Sequence, residues 1–161
     1  MTDPRRRRAD RRTYAQPSPG SKPKGAPIRL AQKVLVAESD RALGELYRSA
    51  LESDGWAVDI ASDGRTALAR AEASPPRVLL LSSVPDLTAT TVLERLRNHD
   101  STRDVAVIVL SNSGDEADQQ RWHQLGAIGS LIKSRLMRAN LSETITGLLE
   151  RRVSGRDRRK S

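Results

Sequence analysis

Cysteine is absent from this chain. That excludes disulfides, thiolate catalysis and Cys-ligated zinc or iron–sulfur sites. Histidine is scarce: His99 and His123 stand far apart, without ligand-like spacing or an acidic partner in sequence, so both read as surface or boundary residues. No apolar run approaches the roughly 20 residues that span a bilayer. The arginine-rich N-terminus is not followed by the apolar core of a secretory signal. A soluble cytoplasmic protein is the expectation.

Positive charge, in contrast, is abundant and unevenly placed. The 161 residues carry a net charge of +8. Residues 1–30 hold nine Lys/Arg against Asp3 and Asp10, and residues 150–161 hold six against Glu150 and Asp157, which leaves 31–149 mildly acidic. The first 30 residues combine like-charge runs with Pro17, Pro19, Pro23, Pro27, Gly20 and Gly25 and almost nothing apolar. Such composition cannot bury enough surface to offset its ordering entropy. The reading is a disordered basic arm over 1–30, a globular domain over 31–150 and a disordered basic tail over 151–161.

Between the arms the pattern alternates. KVLVA (33–37), WAVDI (56–60), VLLL (78–81), VAVIVL (105–110) and SLI (130–132) read as strands. Each is followed by a helical pattern opened by a capping residue: Ser39 or Asp40, Ser62-Asp63-Gly64, Thr88, the Ser111-Asn112-Ser113-Gly114 stretch, and Asn140 or Ser142. Asp54-Gly55 breaks the first helix, in which Leu43, Leu46, Tyr47, Ala50 and Leu51 recur at helical spacing. Five β–α units with uncharged strands imply an α/β fold: a doubly wound, five-stranded parallel sheet with helices on both faces. Sites in such folds lie beyond the carboxyl ends of the strands. Here those ends are Glu38-Ser39, Ala61-Ser62, Ser82-Ser83, Ser111-Asn112 and Lys133-Ser134.

Several of these stretches together resemble the receiver domain of bacterial two-component response regulators. KVLVAESD is similar to that family's opening strand and acidic turn, ASDGRTAL to the start of its second helix and PPRVLLL to its third strand. TRDVAVIVLSN is similar to its fourth strand with a terminal hydroxyl residue, and LGAIGSLIK to the segment leading to its fifth strand and lysine. The resemblance covers residues 33 to about 149 and implies a flavodoxin-like sheet of order 2-1-3-4-5. It also implies a pocket in which two acids hold Mg²⁺, an aspartate accepts a phosphoryl group, and a hydroxyl and a lysine steady the phosphate.

Carried over residue by residue, that pocket is half present. Glu38 matches the first acid, Ser39 stands at the second, Ser82 falls on the phosphoacceptor, Ser111 on the hydroxyl and Lys133 on the lysine. Ser134 replaces the family's proline, and Ser130 its switch aromatic. Because the loop after strand three is one residue short, Leu81 is an alternative occupant of the acceptor position. An acyl phosphate needs a carboxylate, so Ser82 cannot take over the normal reaction. With Glu38 the one strong carboxylate left and Asp40 read as the start of a helix, magnesium binding is expected to be weak or lacking. Asp86, four residues past Ser82, reads as a turn or helix-capping residue rather than a substitute acceptor. Glu38 and Lys133 are expected to pair.

The resemblance therefore implies a stand-alone pseudo-receiver, not an enzyme and without a cofactor, acting in phosphorelay signalling by phosphorylation-independent binding of a protein such as a signalling kinase or another regulator. Trp122 and Ser130 mark the expected partner surface, with Trp122 equally readable as part of the core. A second reading gives the function to the Arg-rich arms, as contacts for nucleic acid or an acidic protein or membrane surface; against it stands a solvated tail that only aids solubility. No helix-turn-helix follows, so sequence-specific DNA binding is not expected. A working phosphoacceptor using Asp86 or Asp40 is a third reading.

Overall fold

The structure is a computed structural model that describes residues 32–136 and 140–160, the last eight of these as backbone only. The N-terminal arm read over 1–30 lies outside the described residues.

The strands are β1 (Lys33–Ala37), β2 (Ala57–Ala61), β3 (Val78–Leu81), β4 (Ala106–Ser111) and β5 (Gly129–Ile132). They form one sheet of order β2-β1-β3-β4-β5, every neighbouring pair parallel. The order 2-1-3-4-5 is the one the resemblance implies. The helices are α1 (Arg41–Glu52), α2 (Gly64–Ala73), α3 (Ala89–Arg97), α4 (Glu116–Gln124) and α5 (Leu141–Lys160), with a 3₁₀ turn at Lys133–Arg135.

The near-continuous apolar strands are explained by cover on both faces. Alternate side chains of β1, β3 and β4 divide between two clusters. Leu35, Leu79, Leu81, Val107 and Val109 pack with Leu68, Leu93 and Leu96 of α2 and α3. Val34, Val36, Val78, Leu80 and Ile108 pack with Tyr47, Leu51, Leu141 and Ile145 of α1 and α5. The two-residue period of a strand sends successive side chains to opposite faces, so one apolar run feeds both layers.

The helix starts are built from short polar side chains that accept otherwise unpartnered N–H groups. Asp40, Asp63, Thr88 and Asp115 cap α1 to α4 in turn. Gly55, after α1, sits at φ 95°, a conformation that side-chain-bearing residues resist. Asp40 is thus the cap it was read to be.

One expectation changes. Leu46 is 41% exposed: Gly44, Tyr47 and Leu51 form the buried stripe of α1, and Leu46 stands to one side of it. α5 runs to Lys160, through the stretch read as a tail beyond residue 150. Arg and Lys are good helix formers, and that stretch contains Gly155 but no proline to stop it.

Candidate functional site

The carboxyl ends of the three central strands are stitched together by backbone bonds. Ser82 N donates to Ala37 O at 2.9 Å, Ser39 N to Ser83 O at 3.2 Å, and Glu38 N to Ala61 O at 3.0 Å. This register fixes Glu38 and Ser82 side by side. Leu81, the alternative occupant, is fully buried in the core, paired with Ala37 and Val109. Ser82 is therefore the residue that faces Glu38.

Glu38 is the centre of the arrangement and is 2% exposed. Its Oε1 accepts the Ser82 hydroxyl at 2.5 Å and lies 3.3 Å from Lys133 Nζ. Its Oε2 accepts the backbone N–H of Asp40 at 2.9 Å. Lys133, the first residue after β5, reaches back past β4 and β3 to do this, and also donates to Ser83 Oγ at 3.5 Å. A buried carboxylate is costly unless it is paired and hydrogen-bonded. Here one cation, one hydroxyl and one amide meet that requirement. The expected Glu38–Lys133 pair is present; the direct Ser82–Glu38 bond was not read from the sequence.

Ser39 is exposed and contributes its backbone N–H. Ser111 ends β4, but its hydroxyl donates to Ser113 O at 2.9 Å and accepts from Ser113 N at 3.1 Å, which turns it into its own loop. It shares with Ser82 and Ser83 a cavity of about 540 Å³ whose other walls include Asp86, Asp118 and Trp122. Trp122 is half-buried and packs against the α2–α3 side of the core. Ser130 is half-buried in β5, opposite Val109. His99 and His123 are exposed.

Asp86 has a definite job. Its two carboxylate oxygens accept the N–H groups of Gly64 at 2.7 Å and Arg65 at 3.0 Å, the first turn of α2. Those bonds, Gly64's foremost, hold its carboxyl below the ordinary value of 3.8. The capping role was expected; the helix it caps lies earlier in the chain and not next to it. Leu87 closes the same contact. A Cβ on Gly64 would meet Leu87 Cδ1 at 2.8 Å, so any larger residue there would push the Leu87 side chain aside. The β3–α3 loop is thereby fastened to α2, beside the cavity.

Tyr47 is buried beneath the site, and its phenol is pushed up to about 12 by burial first and then by the negative charges of Glu38 and Asp40. Among the described residues, no three His, Cys, Asp or Glu side chains gather as a metal would need, and no helix is long and apolar enough to cross a membrane.

A structure so organised has recognisable relatives. Transcriptional regulatory protein TrcR of Mycobacterium tuberculosis is 38% identical over 77 residues, 47% of this chain and 28% of that protein. Phosphate regulon transcriptional regulatory protein PhoB of Rhizobium meliloti is 30% identical over 105 residues, 65% of this chain and 46% of that one. The chain thus spans less than half the length of these two relatives. Among solved structures, the chemotaxis response regulator CheY4 of Vibrio cholerae superposes with a TM-score of 0.68 at 23% identity, covering 73% of this chain and 98% of that one, which shows a shared fold. The family model of the response regulator receiver domain matches residues 34–146. With sheet order, site position and family model in agreement, the chain belongs to the response regulator receiver domain family.

Proposed function

We propose that this receiver is a pseudo-receiver, which binds a protein partner without being phosphorylated. The observation that carries this reading is the self-contained bonding at Glu38. In the family's reaction a carboxylate at the end of β3 is the nucleophile, and a metal and a lysine neutralise the charge that develops on the phosphoryl group. Here the side chain in that place is the Ser82 hydroxyl, which cannot form an acyl phosphate and already donates to Glu38. The lysine is committed to the same carboxylate.

Magnesium does not fit this donor set. A hard cation of this kind is held through one or two carboxylates plus water. Both Glu38 oxygens are engaged, and Ser39 and Ser82 are neutral. Asp40 and Asp86 each cap a helix, so neither supplies the missing ligand or a substitute acceptor. No cofactor is assigned, and the chain is read as a binding module rather than an enzyme.

The partner surface is placed on α4 and β5. No residue of α4 is fully buried, and β5 is a sheet edge whose four residues are all half-buried. These elements are the least committed to the core. Trp122 and Ser130 lie on them, and a half-buried tryptophan is a frequent anchor of protein interfaces. A signalling kinase or another regulator is the class of partner this family position supports.

The test is addition of beryllofluoride with Mg²⁺ to the full chain while amide resonances are followed. The expected result is no saturable shift at Ser82, Ser111 or Lys133. Saturable shifts at those three residues would overturn the reading and restore a phosphorylation-type switch with an unusual acceptor.

A further inference from the structure

Parallel strands all begin at one end of the sheet, and the helices that return between them finish there. That end, opposite Glu38 and Ser82, has its own electrostatic character. Two of the cavities that open on it are lined by arginines near α5. One, of about 390 Å³, has Arg77 and Arg152 in its wall. The other, of about 440 Å³, has Arg97, Arg103, Arg151 and Arg152. Asp104 is the carboxylate common to both. The cavity at the Glu38 end presents the reverse: Asp86 and Asp118, with no Lys or Arg among its lining residues. The cavities at the two ends therefore differ in the sign of the charge that lines them.

The arginines fall into two groups. Arg97 and Arg152 are built into the fold. The Arg97 guanidinium donates to the carbonyls of Leu125, Val105 and Gly126 at 3.2, 2.9 and 3.0 Å, and Arg152 donates to Asp104 O at 2.8 Å. They fix positive charge in place. Arg77, Arg103 and Arg151 are exposed around them. Arg103 faces Asp100 in an exposed pair three residues apart, the kind of pair that is weak in water and readily exchanged for a stronger anion.

We propose that this end of the domain binds the phosphate backbone of nucleic acid, with Arg77, Arg103 and Arg151 as its contacts. Arginine matches phosphate through two parallel N–H donors, which lysine cannot supply. The surface lacks what other anionic partners need. Lipid attachment calls for apolar side chains to insert, and the one exposed large hydrophobic among the described residues, Leu46, stands on α1. A protein interface of high affinity calls for exposed aromatic or aliphatic anchors; the aliphatic residues lining these cavities, Val105, Leu149, Ile128 and Leu148, are buried or half-buried, and neither cavity has an aromatic residue other than His123. Backbone phosphates need only positioned cations. Phosphate contacts carry no sequence information, so binding through these three arginines is independent of sequence. This surface adjoins the partner surface where His123, near the end of α4, lines the second cavity, and a protein with both would carry its partner to nucleic acid.

The experiment compares two triple variants of the full chain that lose the same charge from opposite ends. One is Arg77→Ala with Arg103→Ala and Arg151→Ala. The other is Arg41→Ala with Arg65→Ala and Arg135→Ala, three exposed arginines at the Glu38 end. The probe is a fluorescent mixed-sequence DNA duplex titrated at several salt concentrations. The first variant is expected to bind at least about tenfold more weakly, with a log–log salt slope shallower by roughly 2–3, since each lost phosphate contact removes about one unit. The second is expected to keep the wild-type slope. Equal losses in both variants would reduce the effect to net charge and overturn the proposal. So would an unchanged slope in the first variant, or no duplex binding by the wild type at low salt, or binding to anionic vesicles alone. Arg151→Ala by itself, expected to lower the slope by about one, gives the same decision if the triple variant does not fold.

Discussion

The Ser82 hydroxyl and the Glu38 carboxylate, 44 residues apart in sequence, meet at 2.5 Å on the carboxylate oxygen that also faces Lys133. Glu38 is 2% exposed, Ser82 6%, and the Lys133 side chain 13%. Sheet order makes this possible: Glu38 leaves β1, Ser82 leaves the adjacent β3, and Lys133 arrives from the edge strand β5. Three side chains from three strand ends are engaged with one another.

Removing the cation should be costly. Lys133→Met leaves the buried Glu38 carboxylate with a hydroxyl and an amide as its partners. Breaking one side of a buried ion pair typically costs about 3–5 kcal/mol, and the lower end is expected here because Ser82 remains. Adding Glu38→Gln to Lys133→Met should recover part of the loss, giving a coupling of about 1.5–3 kcal/mol in a double-mutant cycle. Urea unfolding of the four proteins measures it; strictly additive losses would mean the two charges do not interact.

Asp86 should matter for the stability of α2 in a pH-dependent way. Its folded-state carboxyl is held below 3.8, chiefly by the Gly64 N–H. A depressed acid stabilises the fold above its unfolded value and loses that contribution as pH falls through the folded one. Asp86→Ala is therefore expected to lower the urea midpoint at pH 7. The gap from wild type should shrink steadily below about pH 4. A gap of the same size at pH 3 would remove the carboxylate from the explanation and leave only packing.

The strands were legible because apolar runs such as VLLL and VAVIVL have no other use in a chain of this composition, and the caps because Asp40, Asp63 and Thr88 stand where helical spacing begins. Glu38, Ser82 and Lys133 could be placed at strand ends for the same reason. What could not be read was the direction each side chain takes. Ser111 sits at the right strand end yet turns to its own Ser113, a choice made by the local loop. Asp86 was legible as a cap, but the helix it serves precedes it by some twenty residues, a pairing that only the folded sheet creates. Arg97 went unnoticed because its partners are backbone carbonyls, which every residue carries.

Tyr47 supplies a second pH test, at the alkaline end. Its phenol is raised to about 12 by burial and by Glu38 and Asp40. Because the folded state holds the proton more tightly than the unfolded chain, stability is intact below about pH 10 and declines as pH rises toward the folded value. Wild type should lose stability between pH 10 and 12 more steeply than Tyr47→Phe, whose ring fills the same space without a proton to lose. Paired urea midpoints at pH 9 and 11.5 isolate the effect from other alkaline titrations; parallel curves for the two proteins would show the phenol to be unperturbed.

Ser82→Asp tests the proposal that the lack of a carboxylate at this position keeps the pocket from binding a metal. The substitution sets a second acid against Glu38 beside Lys133. Like charges at that separation disfavour joint ionisation, so the variant should melt below wild type in the absence of divalent cations. It also supplies the carboxylate pair that a hard cation requires. At 10 mM Mg²⁺ a site with a Kd of about 1 mM would contribute roughly 1.4 kcal/mol to the folded state, enough to raise the melting temperature by several degrees in a domain of this size. Wild type, with Glu38 already satisfied, should show no such shift. A magnesium-dependent rise in wild type would reassign Ser39, Ser82 or water to the metal and weaken the case for a silent pocket. No rise in the variant would place the defect beyond Ser82, at the position Ser39 occupies, and Ser39→Asp combined with Ser82→Asp then becomes the variant expected to bind.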